Sequence, residues 1–333
     1  MDYTFYIGTY TNGGGKGIYR AKLAGDGALA MVDYVEIDSP SYIIFSSNKK
    51  YLYASNEARE GGGVTAFEVL VDGSLRNVVS RATGGGAPCH VLEHGGYLYA
   101  ANYGAGSVAV FPLEGGLPGE AEFTHQHEGS GPDKRRQKGP HAHQAMNIPG
   151  TDVICVADLG IDQARFYRKE GKSLALVQAL KLEAGDGPRH AVFSADGRFG
   201  WIVTELSNYI YSIKFESEWV ITGKYSTLPA GFSGDSACAA IRLSPDGKLI
   251  AASNRFSDTA AVFEACGDTG LLTLRGIYPV GGKTPRDINF SPDGKWLLSA
   301  NQDSDTVTAL SVEGGFGVCG GALSVSRPTC ILF

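Results

Sequence analysis

The sequence predicts an all-β fold, a seven-bladed β-propeller with four antiparallel strands per blade, on three observations. A motif recurs seven times, short β-forming runs fill each repeat, and glycine-rich turns separate the runs. Glycine accounts for 46 of the 333 residues, about twice its usual share, without the three-residue period of collagen. Tight turns between short strands account for this excess.

The repeat consists of a proline, a Ser-x-Asp-Gly-Lys turn that begins six residues later, alternating apolar residues and a closing Asn. Its clearest copy runs from Pro285 through the turn at Ser291 to Asn301. Self-similarity of this length is typical of propellers and solenoids. Cysteine replaces the proline in one copy, the first copy is weaker, the next two are irregular and the last is truncated. The seven anchors, 43 to 52 residues apart, are Pro40, Pro88, Pro140, Pro188, Cys238, Pro285 and Pro328.

The runs inside each repeat predict strands. Segments such as 201–203 and 260–263 are rich in β-forming residues and are bounded by Asp-Gly or Gly-Gly turns. A second turn between successive anchors marks another hairpin, so each unit holds four strands, as a propeller blade does.

The two ends of the chain are expected to share one blade. The last unit stops at Phe333, one strand after Pro328, while the chain opens with a strand at 3–10 that lacks a preceding partner. We expect the C-terminal strand to complete the N-terminal blade, which closes the ring without an exposed edge. Residues 1–333 then form a single propeller domain, and a capped solenoid is the alternative architecture.

Composition and charge exclude several classes of partner. The net charge is −6 and the longest basic run is only Lys134-Arg135-Arg136, so nucleic acid is not expected as a partner. Neither a leader peptide nor a long apolar segment is present, so we expect no membrane association and a cytoplasmic protein. The six cysteines form no CxxC pair and are expected to be small buried residues.

Strand direction predicts where a site lies. The anchor opens the innermost strand and the next turn reverses the chain, so the start of strand one and the end of strand two share one rim. The first row of rim residues is Ser41, Cys89, His141, Arg189, Ala239, Arg286 and Thr329. The second row is Tyr10, Glu57, Tyr103, Leu159, Glu205, Arg255 and Gln302.

Five of the charged or titratable residues in these rows are the candidate site. Charges that converge at a channel mouth are costly to desolvate unless they are paired or used in function. Two interpretations stay open, a functional site and a structural ion network between blades. The charged residues concerned are His141, Arg189, Glu205, Arg255 and Arg286.

Two further features surround His141. His143 lies two residues further on, a spacing that suits a metal, but no third ligand is evident beyond the guesses Asp158 and Glu205, so no metal is expected. The long polar segment 124–139 leads directly to His141. It is expected to overhang the rim, where Arg135, Arg136 and Lys138 would attract an anionic substrate, or else to be a mobile solvated loop.

Several motifs resemble those of the seven-bladed lactonase family, which includes propeller-type 6-phosphogluconolactonases and fungal carboxymuconate-lactonizing enzymes. The resemblance covers essentially the whole chain. The motifs that carry it are Gly-Pro-His-Ala-His at 139–143, Val-Ala-Asp-Leu-Gly-Ile-Asp at 156–162, Gly-Pro-Arg-His at 187–190, Thr-Glu-Leu-Ser-Asn at 204–208, Ser-Asn-Arg at 253–255 and Thr-Pro-Arg-Asp at 284–287.

The resemblance implies roles for these residues. A histidine, two arginines and a glutamate act in the lactonizing branch, and they match His141, Arg189, Glu205 and Arg255. A lactone hydrolase needs a base, for which either His141 or Glu205 is a candidate, and an oxyanion donor, for which Arg189 is the candidate. Arg255 and Arg286 would hold the substrate's phosphate. The remaining expected substrate-binding residues are His143, His190 and Tyr103.

The function expected from the resemblance is that of a 6-phosphogluconolactonase. Such an enzyme hydrolyses a small anionic lactone to 6-phosphogluconate in the pentose phosphate pathway, without a cofactor, as a monomer or weak homo-oligomer. Two alternatives stay open: a carboxymuconate cyclase or other sugar-lactone hydrolase, and a non-catalytic propeller that binds a ligand or a protein.

Overall fold

The protein consists almost entirely of β-strands. The structure is a computed structural model that describes residues 2–333, the side chain of Cys319 excepted. The first sixteen strands are β1 (Tyr3–Thr9), β2 (Gly17–Leu23), β3 (Leu29–Glu36), β4 (Pro40–Phe45), β5 (Tyr51–Asn56), β6 (Gly63–Val69), β7 (Leu75–Ala82), β8 (Pro88–His94), β9 (Tyr97–Asn102), β10 (Ser107–Glu114), β11 (Leu117–Pro118), β12 (Phe123–Gln126), β13 (Ala142–Asn147), β14 (Val153–Asp158), β15 (Gln163–Glu170) and β16 (Ser173–Lys181).

The second part of the chain continues the same alternation of strands and turns. A single 3-10 turn, Gln302–Ser304, is the helical element of the described chain, and none of the described helices is long and apolar enough to span a membrane. The remaining strands are β17 (Pro188–Phe193), β18 (Phe199–Thr204), β19 (Tyr209–Phe215), β20 (Trp219–Ser226), β21 (Ala237–Leu243), β22 (Leu249–Arg255), β23 (Thr259–Ala265), β24 (Leu272–Pro279), β25 (Pro285–Phe290), β26 (Trp296–Asn301), β27 (Thr306–Ser311), β28 (Gly317–Ser324) and β29 (Pro328–Leu332).

The strands pair into seven antiparallel sheets, as the repeat predicts. Five sheets contain four consecutive strands each, in the orders β4-β5-β6-β7, β13-β14-β15-β16, β17-β18-β19-β20, β21-β22-β23-β24 and β25-β26-β27-β28. In the sheet that begins with β8, the fourth strand is split, because β11 and β12 both pair with β10. Gly119 lies in the interruption, directly after Pro118, which has no N–H to donate to a ladder.

The seventh sheet joins the two ends of the chain. Its order is β29-β1-β2-β3, and the antiparallel register places Ile7 opposite Ile331 and Gly8 opposite Cys330. Just beyond the pairing, the Tyr10 N–H donates to the carbonyl of Arg327 at 3.0 Å. The prediction that the last strand completes the first blade is confirmed.

The anchors of the repeat open the innermost strands. Five of them are the first residues of β4, β8, β17, β25 and β29. Proline is tolerated at the first position of a strand because the missing N–H is not needed there. The other two are displaced slightly, since Pro140 precedes β13 and Cys238 is the second residue of β21.

The chain divides into two compact units. One comprises the chain up to Glu36 together with His190–Phe333, and the other comprises Ile37–Arg189. Apolar side chains in each unit pack between successive sheets. In the first unit Trp201 and Phe263 belong to one buried cluster and Phe5 and Trp296 to another, whereas in the second unit Tyr99 and Val156 share a cluster.

Burial falls from the inner strands of each sheet to the outermost one. All residues of β18 and β26 are buried, whereas β3 and β7 contain only half-buried and exposed residues. In the six sheets with a continuous fourth strand, the register between the third and fourth strands shifts at one point. Bulges of this kind twist an exposed edge and discourage pairing with another chain.

The Ser-x-Asp-Gly part of the repeat forms the first turn of its blade. The Ser244 hydroxyl donates to Oδ1 of Asp246 at 2.6 Å and accepts the Leu249 N–H at 2.9 Å. The hydrogen bond from Ser244 is the largest cause that lowers the pKa of Asp246. Gly247 adopts a φ of 73°, where side chains are disfavoured. The same side-chain arrangement recurs at Ser46 with Asn48, Ser194 with Asp196 and Ser291 with Asp293.

These turns predict a pH-dependent effect of one substitution. Ser244→Ala removes two side-chain hydrogen bonds and should cost about 1 kcal/mol of unfolding free energy near neutral pH. Because the folded-state pKa of Asp246 is lowered, its contribution is present above its unfolded pKa of about 3.9 and is lost as the pH falls through the folded pKa. The cost of Ser244→Ala, measured by urea unfolding, should therefore be smaller near pH 3 than near pH 6.

Ser46→Ala is the matched control. Ser46 is as buried as Ser244 and makes the same two bonds, but its partner Asn48 does not titrate. Its cost should be the same at both pH values. An equal pH dependence for the two variants would contradict this interpretation.

Candidate active site

His141 lies at the end of the long polar segment, directly before β13, and is partly exposed. Its backbone N–H donates to Oδ1 of Asp158 at 2.7 Å, and its Nδ1 lies 2.8 Å from the backbone oxygen of Tyr103. A carbonyl oxygen only accepts hydrogen bonds, so Nδ1 carries the proton of this bond. In the neutral imidazole the lone pair is then on Nε2, which makes that atom the basic one.

Tyr103 connects His141 to two other polar side chains. Its ring stacks on the His141 ring with the centroids 4.4 Å apart, and it meets the His143 ring edge-on at 5.4 Å. Its hydroxyl accepts a hydrogen bond from Nη2 of Arg136 at 3.2 Å. The structure thus brings together three residues predicted from the sequence, His141, His143 and Tyr103, and adds Arg136 from the polar segment.

The polar segment itself is anchored. Part of it forms β12, and Gln137 is completely buried. The Gln137 amide donates to Oδ1 of Asp162 at 2.6 Å and to the Leu159 carbonyl at 2.9 Å. Arg135 and Lys138 are exposed on either side of it. The alternative of a mobile solvated loop therefore does not describe this segment.

Cys89 is buried, as expected from the sequence, and it contacts His143. Its Sγ lies 3.7 Å from Nδ1 of His143 and donates to the His143 carbonyl at 3.2 Å. Both side chains are buried. A thiol that donates to a carbonyl keeps its proton, so this contact packs His143 and does not form a nucleophile.

Arg189 and His190 are both buried at the start of β17. Asp162 holds the segment that leads to this strand, because its carboxylate accepts the N–H groups of Gly185 and Gly187, both at 2.8 Å. Since Asp162 also accepts the Gln137 amide, one buried carboxylate ties the polar segment to the chain that delivers Arg189.

Glu205 and Arg255 form a buried ion pair. Glu205 follows β18 directly, and its Oε2 lies 3.0 Å from Nη2 of Arg255, the last residue of β22. Arg255 also donates to the carbonyls of Ala237 and Cys238 at 3.3 and 3.1 Å. These bonds fix the guanidinium in one orientation. Phe256, which comes next, is 59% exposed.

Arg286 belongs to a group around Tyr10. Its Nη2 donates to the Tyr10 hydroxyl at 2.6 Å, and its guanidinium carbon lies 4.9 Å from the centroid of the Tyr10 ring. The guanidinium carbon of Arg327 lies 5.9 Å from the same centroid. Two cations therefore flank one tyrosine, an arrangement that suits an anionic ligand.

An acidic side chain completes the group around Tyr10. Burial raises the pKa of Asp303, but hydrogen bonds from Thr284 and Gln302, together with the charges of Arg327 and Arg286, outweigh burial and lower it. The Asp303 carboxylate is therefore ionised near neutral pH. It offsets part of the positive charge of the two arginines.

Sequence reasoning missed a second layer of residues behind His141. Asp158 was considered only as a metal ligand, but it accepts the backbone N–H of His141 and binds Nδ1 of His127 at 2.6 Å. Nε2 of His127 in turn meets the Tyr167 hydroxyl at 3.0 Å. Within the described chain, no cluster of three metal-ligating side chains is found. The sequence did contain a signal for Asp158, namely an aspartate at a position where the other repeats carry a neutral residue.

The Glu205–Arg255 pair predicts a large effect on stability. Arg255→Met removes the guanidinium partner of a buried carboxylate and should lower the free energy of unfolding by about 3 kcal/mol. Adding Glu205→Gln should recover most of this loss, because the double variant buries no charge at this point. Urea unfolding of the two variants measures the difference.

Arg76→Met serves as the control. Arg76 also pairs with a glutamate, Glu68, but the Arg76 and Glu68 side chains are 66% and 38% exposed. An exposed pair of this kind contributes less than about 1 kcal/mol. Equal losses for Arg255→Met and Arg76→Met would show that burial of the Glu205 pair has no energetic consequence.

Comparisons with known proteins agree with this fold. The chain is 31% identical to the 6-phosphogluconolactonase of Bacillus subtilis over 298 residues, which cover 86% of this chain and 85% of that protein. Two solved structures are similar over nearly their whole length. The periplasmic gluconolactonase PpgL of Pseudomonas aeruginosa has a TM-score of 0.92 and 28% identity and covers 99% of this chain and 98% of its own. A Lactobacillus plantarum protein has a TM-score of 0.92 and 30% identity and covers 100% and 99%.

A family model decides between the enzymatic and the non-catalytic interpretations. The model described as lactonase, 7-bladed beta-propeller, matches residues 4–333. This match confirms the predicted fold class, and it favours a lactone-hydrolysing enzyme over a propeller that only binds a ligand. The chain belongs to the lactonase family of seven-bladed β-propellers.

Proposed function

We propose that this lactonase is a 6-phosphogluconolactonase, which hydrolyses 6-phosphogluconolactone to 6-phosphogluconate. The observation that carries the proposal is the state of His141, whose Nδ1 is held 2.8 Å from the Tyr103 carbonyl. This contact leaves Nε2 as a base, which is the group that lactone hydrolysis requires. The described residues thereby offer a route to hydrolysis through activated water, without a covalent nucleophile.

The proposed reaction begins at Nε2 of His141. This atom takes a proton from a water molecule, and the water oxygen attacks the lactone carbonyl. The carbonyl carbon then releases the ring oxygen, and the leaving alkoxide receives the proton from His141. The product is the open-chain hydroxy acid, and the imidazole returns to its neutral form.

Glu205 is assigned a different role from His141. Its carboxylate is paired with Arg255 at 3.0 Å, and a guanidinium at this distance favours the ionised form and weakens the carboxylate as a base. Glu205 therefore orients Arg255, and His141 is the base. Arg189 is proposed to stabilise the oxyanion that forms when water attacks, since a cationic donor acts best where charge develops.

Arg286 is proposed to bind the substrate's phosphate, with Arg327 and Tyr10 beside it. A guanidinium provides paired N–H donors that match two oxygens of a phosphate. The hydrogen bond from Arg286 to the Tyr10 hydroxyl, at 2.6 Å, holds the guanidinium in place. Arg327 adds a second positive charge at 5.9 Å from the same ring.

The other predicted substrate-binding residues keep that role in the proposal. Tyr103 and His143 meet beside His141, where they shape the surroundings of the lactone ring. His190 and Arg255 are the remaining residues proposed to bind substrate. A phosphorylated substrate points to a cytoplasmic enzyme of the pentose phosphate pathway, because sugar phosphates are made and kept inside the cell.

Two other substrates would also be consistent with an enzyme of the lactonase family. A relative named gluconolactonase indicates an unphosphorylated sugar lactone, and the same arginines would also hold the carboxylates of a carboxymuconolactone. The group around Tyr10 favours an anionic lactone over the unphosphorylated sugar lactone, because two cations lie against one tyrosine there.

Arg327→Ala tests the proposed phosphate contact. Initial rates, corrected for spontaneous ring opening, are measured with 6-phosphoglucono-δ-lactone and with glucono-δ-lactone. Loss of a hydrogen bond to a charged group is worth about 1.5–3 kcal/mol, so KM for the phosphorylated lactone should rise about tenfold to a hundredfold. KM for the unphosphorylated lactone should stay nearly constant.

Arg275→Ala is the matched control, because Arg275 is an exposed arginine of the outer strand β24. It should leave both KM values at the wild-type level. No enzymatic rate with the phosphorylated lactone in folded wild type would refute the proposed substrate and direct the search to carboxymuconolactones. Equal KM changes for the two lactones in Arg327→Ala would refute the phosphate contact alone.

A further inference from the structure

Each sheet has one structurally equivalent polar residue where its second strand ends. In six sheets this residue is neutral, and in the sheet next to His141 it is an aspartate. All seven are completely buried except Asn56, which is half-buried. The residues are Thr9, Asn56, Asn102, Asp158, Thr204, Asn254 and Asn301.

Each of the six neutral residues donates a side-chain hydrogen bond within its own part of the fold, and Asn56, Asn254 and Asn301 also accept one through Oδ1. The Asn254 amide donates to the Thr227 carbonyl at 2.9 Å, and the Thr9 hydroxyl donates to the Gly17 carbonyl at 2.7 Å. The Asn301 amide donates to the Thr308 hydroxyl. The second strand of a sheet in this fold can therefore end in a small polar residue that carries no negative charge.

Asp158 accepts hydrogen bonds and donates none, because an ionised carboxylate has no hydrogen to donate. Its Oδ1 accepts the backbone N–H groups of His141 at 2.7 Å and Gly160 at 2.9 Å, and its Oδ2 accepts Nδ1–H of His127 at 2.6 Å. Three donors converge on one carboxylate that is completely buried. An amide at the same place has one acceptor oxygen, and its NH₂ group would face a donor.

His127 fixes the carboxylate from the side opposite His141. It is 1% exposed, and its Nε2 meets the hydroxyl of Tyr167, also 1% exposed, at 3.0 Å. The two rings stack with their centroids 5.7 Å apart. Because both rings are enclosed, Asp158 has little freedom to rotate away from the backbone of His141.

We propose that Asp158 is a positioning residue for His141. Its carboxylate holds the main chain of His141 so that Nδ1 reaches the Tyr103 carbonyl and Nε2 is left as the base. The inference rests on the proposed role of His141 in lactone hydrolysis. In this proposal Asp158, His127 and Tyr167 position the His141 side chain specifically and are not needed for the fold in general.

Asp158→Asn is the direct test, because asparagine occupies this position in four other sheets and is compatible with the fold. We expect kcat for lactone hydrolysis to fall about tenfold to a hundredfold, as small displacements of a catalytic group do. KM should change by less than about twofold, because Asp158 does not contact substrate. A residue that only supported the fold would lower the thermal midpoint and leave kcat unchanged.

A second readout does not require activity. The ¹⁵N shifts of the His141 ring distinguish a protonated Nδ1 with a bare Nε2 from the opposite tautomer. Wild type should show the bare Nε2, and Asp158→Asn should show a mixture of the two forms. If wild type hydrolyses no lactone, the proposed function fails, while the ¹⁵N comparison still decides whether Asp158 orients His141.

His127→Leu and His127→Asn form a second pair that keeps the carboxylate. Leucine removes the donor to Oδ2, whereas the asparagine amide places a donor close to the position of Nδ1. We expect kcat to fall in His127→Leu and to recover in part in His127→Asn. This pair replaces Asp158→Asn if that variant does not fold.

Tyr53→Phe is the control for the loss of one buried hydrogen bond. The Tyr53 hydroxyl donates to the Gly116 carbonyl at 2.6 Å, and the residue is as buried as Tyr167. It should lower stability and leave kcat and the His141 shifts at the wild-type level. Wild-type kcat and ¹⁵N shifts in Asp158→Asn, or the same loss of kcat in Tyr53→Phe, would overturn the proposal.

Discussion

The pairing of the last strand with the first is the interaction on which the rest of the structure depends. Without β29, the inner edge of β1 would present unpaired N–H and C=O groups. The pairing also has a local consequence, because it ends with the Tyr10 N–H on the Arg327 carbonyl. Tyr10 and Arg327, from opposite ends of the chain, are thereby brought into the group proposed to bind phosphate. The strand pairing that completes this sheet therefore also brings together the residues of this part of the proposed site.

Buried carboxylates are the second constraint on the site. A buried charge is tolerated when hydrogen bonds or an opposite charge replace the lost water. Asp158 and Asp162 are each matched by three donors, mostly backbone N–H groups, and Glu205 by the guanidinium of Arg255. Backbone donors have no rotamer freedom, so a carboxylate that binds them fixes the course of the chain. The segments that carry His141 and Arg189 are each held by such a carboxylate.

The sequence predicted the fold well because the repeat depends on local chemistry. The turn at Ser244 needs a hydroxyl, an acceptor two residues later and a glycine with positive φ, all within six residues. Strand direction then followed from the alternation of turns, and the antiparallel pairing of the first and second strands is as expected, with Pro40 opposite Asn56 and Pro285 opposite Asn301. The split fourth strand of the sheet that begins with β8 was not predicted, because short strands β11 and β12 have little pattern of their own.

The partners of the site residues were beyond sequence reasoning for a different reason. Asp158 and His127 are 31 positions apart and Tyr167 and His127 are 40 apart, so nothing local links them. The contact between Cys89 and His143 likewise joins neighbouring sheets, and spacing along the chain does not encode it. Only the departure of Asp158 from the neutral residue of the other repeats was visible, and its meaning depends on which donors surround it.

The central claim is that the His141 imidazole is the base that activates water. The most direct measurement is the rate of lactone hydrolysis by His141→Gly as a function of added imidazole. Imidazole in solution can occupy the space left by the ring and accept the proton from water. We expect a low rate for the variant alone and a rate that rises with the concentration of neutral imidazole. A wild-type rate in His141→Gly without imidazole would contradict the central claim.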